Sequence, residues 1–473
     1  MMGSIWNCVR VAAPVLLLGA CSLAPPHQRP AAPTPAAWPV AYGQEQTQGP
    51  AMALDWQHFV LDQAARELVQ VALANNRDLR TALLNIEAAR AQYRIERAER
   101  LPMIDGQGSG QRQRVPAELS NGGQGGVSER YDLGVALSAF ELDLFGRVRN
   151  LSEAALAEYL ATEAAAQAVR ISLVASVLRA TVTADGALRR LLLTEETLRA
   201  RQRSLELITQ RRQAGVASAL EFQDARALTE QARAEFERTD RELRRARSAL
   251  ALLLGNGTSR DTLVVSPAPG PIVSAQVRAG LPATLLQHRP DIVAAERRLM
   301  ARNADIGAAR AAFFPRITLT GSVGTASSEL SGLFDGGSRA WSFLPRIELP
   351  IFRGGQNRAS LDLATVRRDT AVLEYERSIE TAFREVVDAL DGRDTLAREV
   401  AARAALADAS TQALTLAQAR YEQGVDDSLR LLDSQRSSFA DRIGLIAAQT
   451  ENDVALVQLF AAVGGGWEGA DPP

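Results

Sequence analysis

The chain is written twice, and this duplication limits its fold more than any other feature. Asn76-Arg77-Asp78-Leu79 … Arg97-Ala98-Glu99-Arg100-Leu101-Pro102 returns as Arg289-Pro290-Asp291-Ile292 … Arg310-Ala311-Ala312-Phe313-Phe314-Pro315, with one offset of 213 residues at both ends. Further pairs follow in order. Phe145 matches Phe352, Asn150 matches Asn357, and Asp185-Gly186 matches Asp391-Gly392. Gln213-Ala214-Gly215-Val216 matches Glu422-Gln423-Gly424-Val425, Leu220 and Asp224 match Leu429 and Asp433, and Gly255-Asn256-Gly257 matches Gly464-Gly465-Gly466. An ordered series whose offset drifts only between 206 and 213 marks an internal repeat. A chain of 473 residues would otherwise suggest about three globular domains. The repeat predicts instead two copies of an extended unit, 57–260 and 285–467, joined by a linker at 261–284 and followed by a short tail, 468–473.

Within each copy, proline marks where helices can run. None lies between Pro116 and Pro267, and none between Pro350 and Pro472. Val148, Leu151, Ala155, Tyr159, Thr162, Ala166, Val169, Leu173 and Val177 step by three or four residues, a seam of coiled-coil type. A helix from Val148 to Gln213 would be on the order of 100 Å long, and so would one from Gln356 to Glu422. Ordinary bundle helices would be broken more often; here only Gly186 and Gly392 interrupt, at matching places.

Strands fall where the helical period lapses. Tyr131, Leu133, Val135, Leu137 and Ala139 alternate with Asp132, Gly134, Ala136 and Ser138. Similar alternation near 316–324 and 340–351 gives two more strands, beside that near 130–145; a Gln-, Gly- and Arg-rich stretch near 103–115 is the weakest candidate. Segments of 9–11 residues with one apolar and one polar face fit membrane β-strands. A half-buried sheet of a soluble protein is the alternative. Four strands cannot close a barrel, an open edge in lipid is prohibitive, and the smallest bacterial membrane barrels have about eight strands. Strands that span a membrane therefore require several chains to share one barrel, and the expected state is an obligate ring-shaped oligomer.

The N-terminus reads as an address. Arg10 precedes an apolar run, Val11 to Leu18, too short for a transmembrane helix and suited to a secretory leader, 1–20. Leu18-Gly19-Ala20-Cys21 resembles a lipobox, in which Cys21 becomes the acylated first residue; a plain leader that contains a cysteine is the alternative. Ser22 follows, not an Asp that would argue for inner-membrane retention. The stretch 21–56 is rich in proline and reads as an extended, uncored tether.

Composition removes most enzyme classes. All 53 basic residues are arginine. Without lysine there is no P-loop and no Schiff base. His27, His58 and His288 have no ligand spacing, so neither a metal nor a cofactor is expected. A net charge of −2 gives no reason to expect a nucleic-acid partner.

The local sequences Leu281-Pro282 … Arg289-Pro290-Asp291-Ile292, Gly307-Ala308-Ala309-Arg310-Ala311-Ala312-Phe313-Phe314-Pro315, Leu330-Ser331-Gly332-Leu333-Phe334-Asp335, Leu349-Pro350-Ile351-Phe352, Arg420-Tyr421-Glu422-Gln423-Gly424-Val425-Asp426 and Gly464-Gly465-Gly466-Trp467 resemble the TolC-like outer-membrane factors. Together with the repeat they cover nearly all of the mature chain, and the nearest branch is that of the OprM-type efflux lipoproteins. The resemblance implies a mainly α chain with a small membrane β portion. Three such chains would make a homotrimer with one 12-stranded β-barrel and a periplasmic α-helical barrel. It implies a passive exit duct in the outer membrane of a Gram-negative bacterium, exporting drugs or other small toxic compounds. A periplasmic adaptor and an inner-membrane pump, of RND type, would be its partners, with outer-membrane lipid around the barrel. A protein-secretion conduit has the same architecture, and a coiled-coil scaffold would explain the helices but not the strands.

The implied site is a gate. The turns near 215–218 and 424–428 match the family's periplasmic tips, so Gly215, Val216, Ser218, Gly424, Val425 and Ser428 are docking candidates for adaptor or pump. Leu429 and Asp433 match a hydrophobic and an acidic ring, and Arg420 and Tyr421 match residues that hold the closed state. Glu221 and Asp426 are latch candidates. Some members carry Arg where Asp426 stands, which turns the expectation from a Glu221 latch towards an Arg420–Asp433 link between chains.

Overall fold

The structure, a computed structural model, describes residues 22–35, 38, 55–119, 125–255, 257–259, 267–268, 270–278 and 282–466. The leader 1–20, Cys21, the tail 468–473 and much of the 36–54 and 261–281 stretches lie outside the described residues. Helices α1 (Trp56–Phe59), α2 (Gln63–Asn75) and α3 (Arg77–Ala98) lead into strands β1 (Ile104–Val115) and β2 (Gly126–Leu142). The long helices α4 (Arg147–Gln213) and α5 (Ala219–Leu254) complete the first copy. The second runs α6 (Pro282–His288), α7 (Pro290–Ala311), β3 (Arg316–Ser327), β4 (Arg339–Glu348), α8 (Gln356–Glu422) and α9 (Ser428–Ala462). Helices α4 and α8 are each 67 residues long without interruption, so Gly186 and Gly392 do not break them.

The helix ends follow local chemistry. The Asp62 carboxylate caps α2 by accepting from Ala65 N at 2.7 Å. Asn76 serves two helices at once: its Oδ1 accepts from Leu79 N at the start of α3, and its Nδ2 donates to the Leu253 carbonyl near the end of α5. Helix α5 ends at Gly255 with φ 69, where a Cβ would also lie 2.6 Å from the Asn75 carbonyl, so both the conformation and the space demand glycine.

The four strands form one antiparallel sheet in the order β1-β2-β3-β4. Register puts Val135 beside Val323 and Val323 beside Trp341; Leu137, Gly321 and Phe343 form the next row. Trp341 is 79% exposed, so this is an apolar face without a covering layer. The other face pairs Ser109 with Asp132 and Ser322 with Ser342, whose hydroxyls are 2.8 Å apart, with Leu344 as an apolar exception. Strand β2 contains a bulge between Leu137 and Phe140, with Ala139 at φ 47. The bulge ends the simple alternation: Phe140, not Ala139, continues the face of Leu137.

Two compact units can be distinguished, and neither is a repeat. One takes 22–31, Asn85–Thr162 and Ala294–Tyr375, and contains the sheet. The other takes the described parts of 32–84, Glu163–Val293 and 376–473, and is helical. In the second, Phe59 and Phe460 stack at 4.4 Å, and the segment around Val273 is held by Leu61 N donating to the Ile272 carbonyl and Ser274 N to that of Phe59. Helix α4 holds a stretch apolar enough to cross a bilayer, but 67% of it is buried within the protein, as a core helix would be.

The segment after Cys21 departs from the expected loose tether. Residues 22–31 belong to the sheet-bearing unit, where Ser22, Leu23, His27 and Arg29 all bond to helix side chains. Proline composition keeps the segment extended, but the bonds come from its non-proline residues.

Candidate functional site

Both long helices end in the same closed turn. After α4, Gly215 at φ 79 donates to the Arg212 carbonyl, and Val216 N reaches back to the Arg211 carbonyl at 2.9 Å. After α8, Gly424 at φ 73 donates to the Tyr421 carbonyl, and Val425 N to that of Arg420 at 2.9 Å. This paired closure satisfies the last carbonyls of a helix and requires a left-handed residue, which is why glycine recurs at the repeat offset. Val216 and Val425 are left exposed.

The next helices start with different caps. Ser218 Oγ accepts from Glu221 N, while Glu221 Oε2 accepts from Ser218 N at 2.7 Å, a reciprocal capping box. Glu221 Oε1 also accepts from Ser428 Oγ at 3.0 Å. These bonds, that from the Ser218 backbone first, hold the Glu221 carboxyl below the usual carboxylate range. Across from it, Asp427 caps α9 by accepting from Arg430 N.

Arg420 is held within its own chain. Its Nε donates to Asp426 Oδ2 at 2.7 Å and its Nη2 to Oδ1 at 2.8 Å, a bidentate fork, and Arg430 lies 3.8 Å from the same carboxylate. Arg420 in the first place, with Arg430 beyond it, lowers the Asp426 pKa. Tyr421 takes a different partner: its hydroxyl accepts from Arg211 Nη1 at 2.7 Å, and the Arg211 guanidinium stands 5.7 Å from the ring centroid. Arg211 was not among the residues singled out from sequence. The repeat offset would have found it, because Arg211 is the counterpart of Arg420.

Leu429 and Asp433 lie one turn apart at the start of α9, both exposed, Leu429 at 68%. Asp433 accepts from Arg436 Nη2 at 2.5 Å. Within one chain Arg420 and Asp433 thus each hold another partner, while the expected Arg420–Asp433 link is one between chains. The fork to Asp426 uses Nε and Nη2 of Arg420 and leaves Nη1 for a link between chains. The turns are instead joined by two bonds, Arg211 to Tyr421 and Ser428 to Glu221. Among the described residues no group of acidic, His or Cys side chains is arranged to hold a metal.

The profile of a family described as outer membrane efflux protein matches residues 68–256 and 281–465. The chain belongs to that family. The two matched blocks fall on the two copies of the repeat. The outer membrane protein OprJ of Pseudomonas aeruginosa is 57% identical over 96% of this chain and 94% of its own length. The solvent efflux pump outer membrane protein SrpC of Pseudomonas putida is 47% identical over 96% of this chain and 97% of its own. A crystal structure of a membrane protein from Pseudomonas aeruginosa superposes with a TM-score of 0.90 at 55% identity, covering 95% of this chain and 99% of that one.

As an outer membrane efflux protein of OprM type, the chain is the outer-membrane channel of a tripartite efflux system. Its fold class is that of trimeric channels, in which four strands from each of three chains close one β-barrel and the long helices form an α-helical barrel. The uncovered apolar face of the sheet is then the lipid-facing surface. Such a channel works with an adaptor and an inner-membrane pump.

Proposed function

We propose that the turns after α4 and α8 are the gate of this efflux channel. The two direct bonds between them, Arg211 to Tyr421 and Ser428 to Glu221, carry this reading, with Arg420 locked on Asp426 beside them. In a trimer every one of these contacts occurs three times about one axis. Three Asp433 carboxylates near that axis repel one another unless arginines neutralise them, and Arg436 supplies one such partner in each chain. Opening breaks the Tyr421 and Asp426 contacts, spreads the turns and moves the exposed Leu429 side chains outward. Glu221 acts through its cap: as long as it holds Ser218 and Ser428, the first turns of α5 and α9 stay together.

The exposed turn residues Gly215, Val216, Ser218, Gly424 and Val425, with Ser428 buried behind them, form the docking surface for the adaptor or pump, and the pump is of RND type. The cargo is small, toxic and largely apolar, a reading supported by the solvent efflux in which SrpC takes part. Cys21, outside the described residues, is acylated after removal of 1–20, which adds a lipid to the barrel's own hold on the membrane.

Single-channel recording in planar bilayers tests the gate. Wild type is expected to show low conductance, and Tyr421→Phe combined with Asp426→Ala to raise it, with Asp433→Ala giving a further rise. Conductance identical to wild type in all of these variants refutes the gate.

A further inference from the structure

The charge on the lipid-facing side of the sheet sits at one end. Register gives that side the even positions of β1, Ile104 to Arg114, and the odd positions of β2, Val127 to Leu137, with Phe140 and Leu142 following after the bulge. In β3 and β4 it takes the odd positions, Ile317 to Ser327 and Arg339 to Ile347. Among these residues the charged ones are Arg112, Arg114, Glu129 and Arg339. Arg112 and Arg114 lie at the end of β1, and Arg339 opens β4. Hairpin turns join the strands at this end, whereas the opposite ends connect to the helices. With the helices in the periplasm, the arginines are at the cell exterior.

Spacing along the strands sets their depth. Arg112 is eight residues from Ile104, and Arg339 is eight residues from Ile347. Eight residues span about 27 Å of strand, or about 20 Å of height at a tilt of ~40°. The outward apolar band of such a barrel is about 25 Å tall, so Arg112 and Arg339 lie near its upper edge and Arg114, two residues further, lies at it. Trp341 stands one row inside Arg339, and Tyr131 one row inside Arg112, as aromatic residues do at a membrane interface. An edge position explains why charge is tolerated, not why it is nearly all positive. Arg112 Nε pairs with Glu129 Oε1 at 2.9 Å, and the Tyr131 hydroxyl donates to Glu129 Oε2 at 3.2 Å, so the one acid on this side is satisfied within the chain. Arg114 and Arg339 are exposed, and their guanidinium groups have no partner among the described residues.

The two free arginines also converge between chains. Strands β1 and β4 are the edges of the sheet, so closing the barrel sets β4 of one chain beside β1 of the next. Arg339 then lies on the strand adjoining that of Arg112 and Arg114, all of them at the exterior end. Below Arg112, β1 carries Gly110, Gly108 and Gly106 on this side, so hydrocarbon can approach the backbone beneath the arginines. We propose that this rim binds the phosphates of lipid A in the outer leaflet, with one docking place at each junction between chains. Guanidinium groups take phosphate oxygens through paired N–H donors, and the acyl chains lie along the apolar rows below. Two observations select this occupant: the rim is continuous with the lipid-facing wall, and its unpaired positive charge complements a headgroup that carries phosphates.

Native mass spectrometry of the intact trimer, titrated with purified lipid A that carries both phosphates, tests the rim. Wild type is expected to retain lipid A, and Arg114→Ser combined with Arg339→Ser to weaken that binding about tenfold or more. Arg114→Lys with Arg339→Lys keeps the charge and should keep most of the binding. Arg346→Ser, on the opposite side of the sheet, should leave it unchanged. Lipid A stripped of its phosphates should bind wild type as weakly as intact lipid A binds the serine pair. Gels run without heating check that each variant is a trimer; should the serine pair fail to assemble, the stripped lipid on wild type decides. Equal binding of lipid A by wild type and an assembled serine pair overturns the proposal. So does equal binding of intact and stripped lipid A by wild type, or phosphatidylglycerol binding as tightly as lipid A.

Discussion

The duplicated Asp-Gly pair should answer one substitution with opposite signs in its two copies. Gly186 in α4 and Gly392 in α8 both lie inside 67-residue helices. In a helix interior glycine is about 0.8–1.0 kcal/mol less favourable than alanine, so propensity alone makes either Gly→Ala change stabilising by about 1 kcal/mol. The surroundings differ. A Cβ at Gly392 would meet only the Ala455 Cβ at 3.7 Å, an ordinary contact. At Gly186 it would lie 2.2 Å from Thr450 Oγ1, 3.0 Å from Cγ2 and 3.2 Å from Cβ. Thr450 cannot move aside cheaply, because it is buried, its Oγ1 donates to the Ile446 carbonyl at 2.8 Å, and a β-branched side chain has few rotamers. Overpacking of this kind costs about 1–3 kcal/mol. Gly186→Ala is therefore expected to lose up to about 2 kcal/mol net, where Gly392→Ala gains about 1 kcal/mol. In a Thr450→Ala background Gly186→Ala should swing back towards the gain, since the two nearest atoms are gone, with a coupling of about 1–3 kcal/mol. The assay is the thermal midpoint of the purified trimer in one detergent at one scan rate, because irreversible unfolding makes midpoints rate-dependent. An equal rise for both alanine variants, or no effect of the Thr450→Ala background, refutes the reasoning.

Three further outcomes are expected. Ala139 holds a left-handed conformation at φ 47 in the β2 bulge; Ala139→Gly should relieve about 1 kcal/mol of strain and raise the temperature at which the trimer dissociates on gels, and Ala139→Val should lower it. Arg201 is 4% exposed, its pKa is pulled down by burial, it donates to the Leu228 carbonyl and lies over the Phe439 ring, and it has no carboxylate partner among the described residues. Arg201→Met should stabilise the chain by about 1 kcal/mol or more, read by the same midpoint, and a large drop would show that the guanidinium is needed. The Asp426 carboxyl titrates below its ordinary value, so its hold on Arg420 is complete above that ordinary value and is lost only as pH falls through the lowered one. In an Asp433→Asn background, conductance should stay flat from neutral pH through the ordinary carboxylate range and rise only below it; a rise that begins within that range contradicts the Arg420–Asp426 fork.

Helix and strand classes were legible because each rests on periodicity, and periodicity survives in a single sequence. The proline-free seam through Val148 and Leu173 could only be helical, and the alternation around Val135 could only be extended. Ala139 was placed on the wrong face because a bulge inserts a residue without changing composition. Strand β1 gave a weak signal because it is stabilised by backbone pairing with β2 and carries few apolar side chains. The binding of residues 22–31 to the helices was hidden for a related reason: proline content reports an extended chain but says nothing of whether Arg29 finds the Glu296 carboxylate. At the turns the need for glycine was readable from the repeat, while the Arg420–Asp426 fork depends on where a short turn points two side chains.

The two compact units each draw on both repeats, and that interleaving ties the halves together. Neither copy contains a complete unit, so cutting the gene at the linker would yield two fragments that are each half of everything. A trimer of such chains presents six quasi-equivalent positions around its axis, occupied by two kinds of repeat. Exact sixfold symmetry would have forced every change to be made six times over. With alternating copies the molecule can give the two sets of three positions different tasks: Glu296 holds Arg29 on α7 while Leu83 stands at the matching place on α3, glycine is packed at 186 and open at 392, and an arginine turns to tyrosine at 211 and to aspartate at 420. Duplication thus gave the ring a division of labour that a single-repeat hexamer could not have evolved.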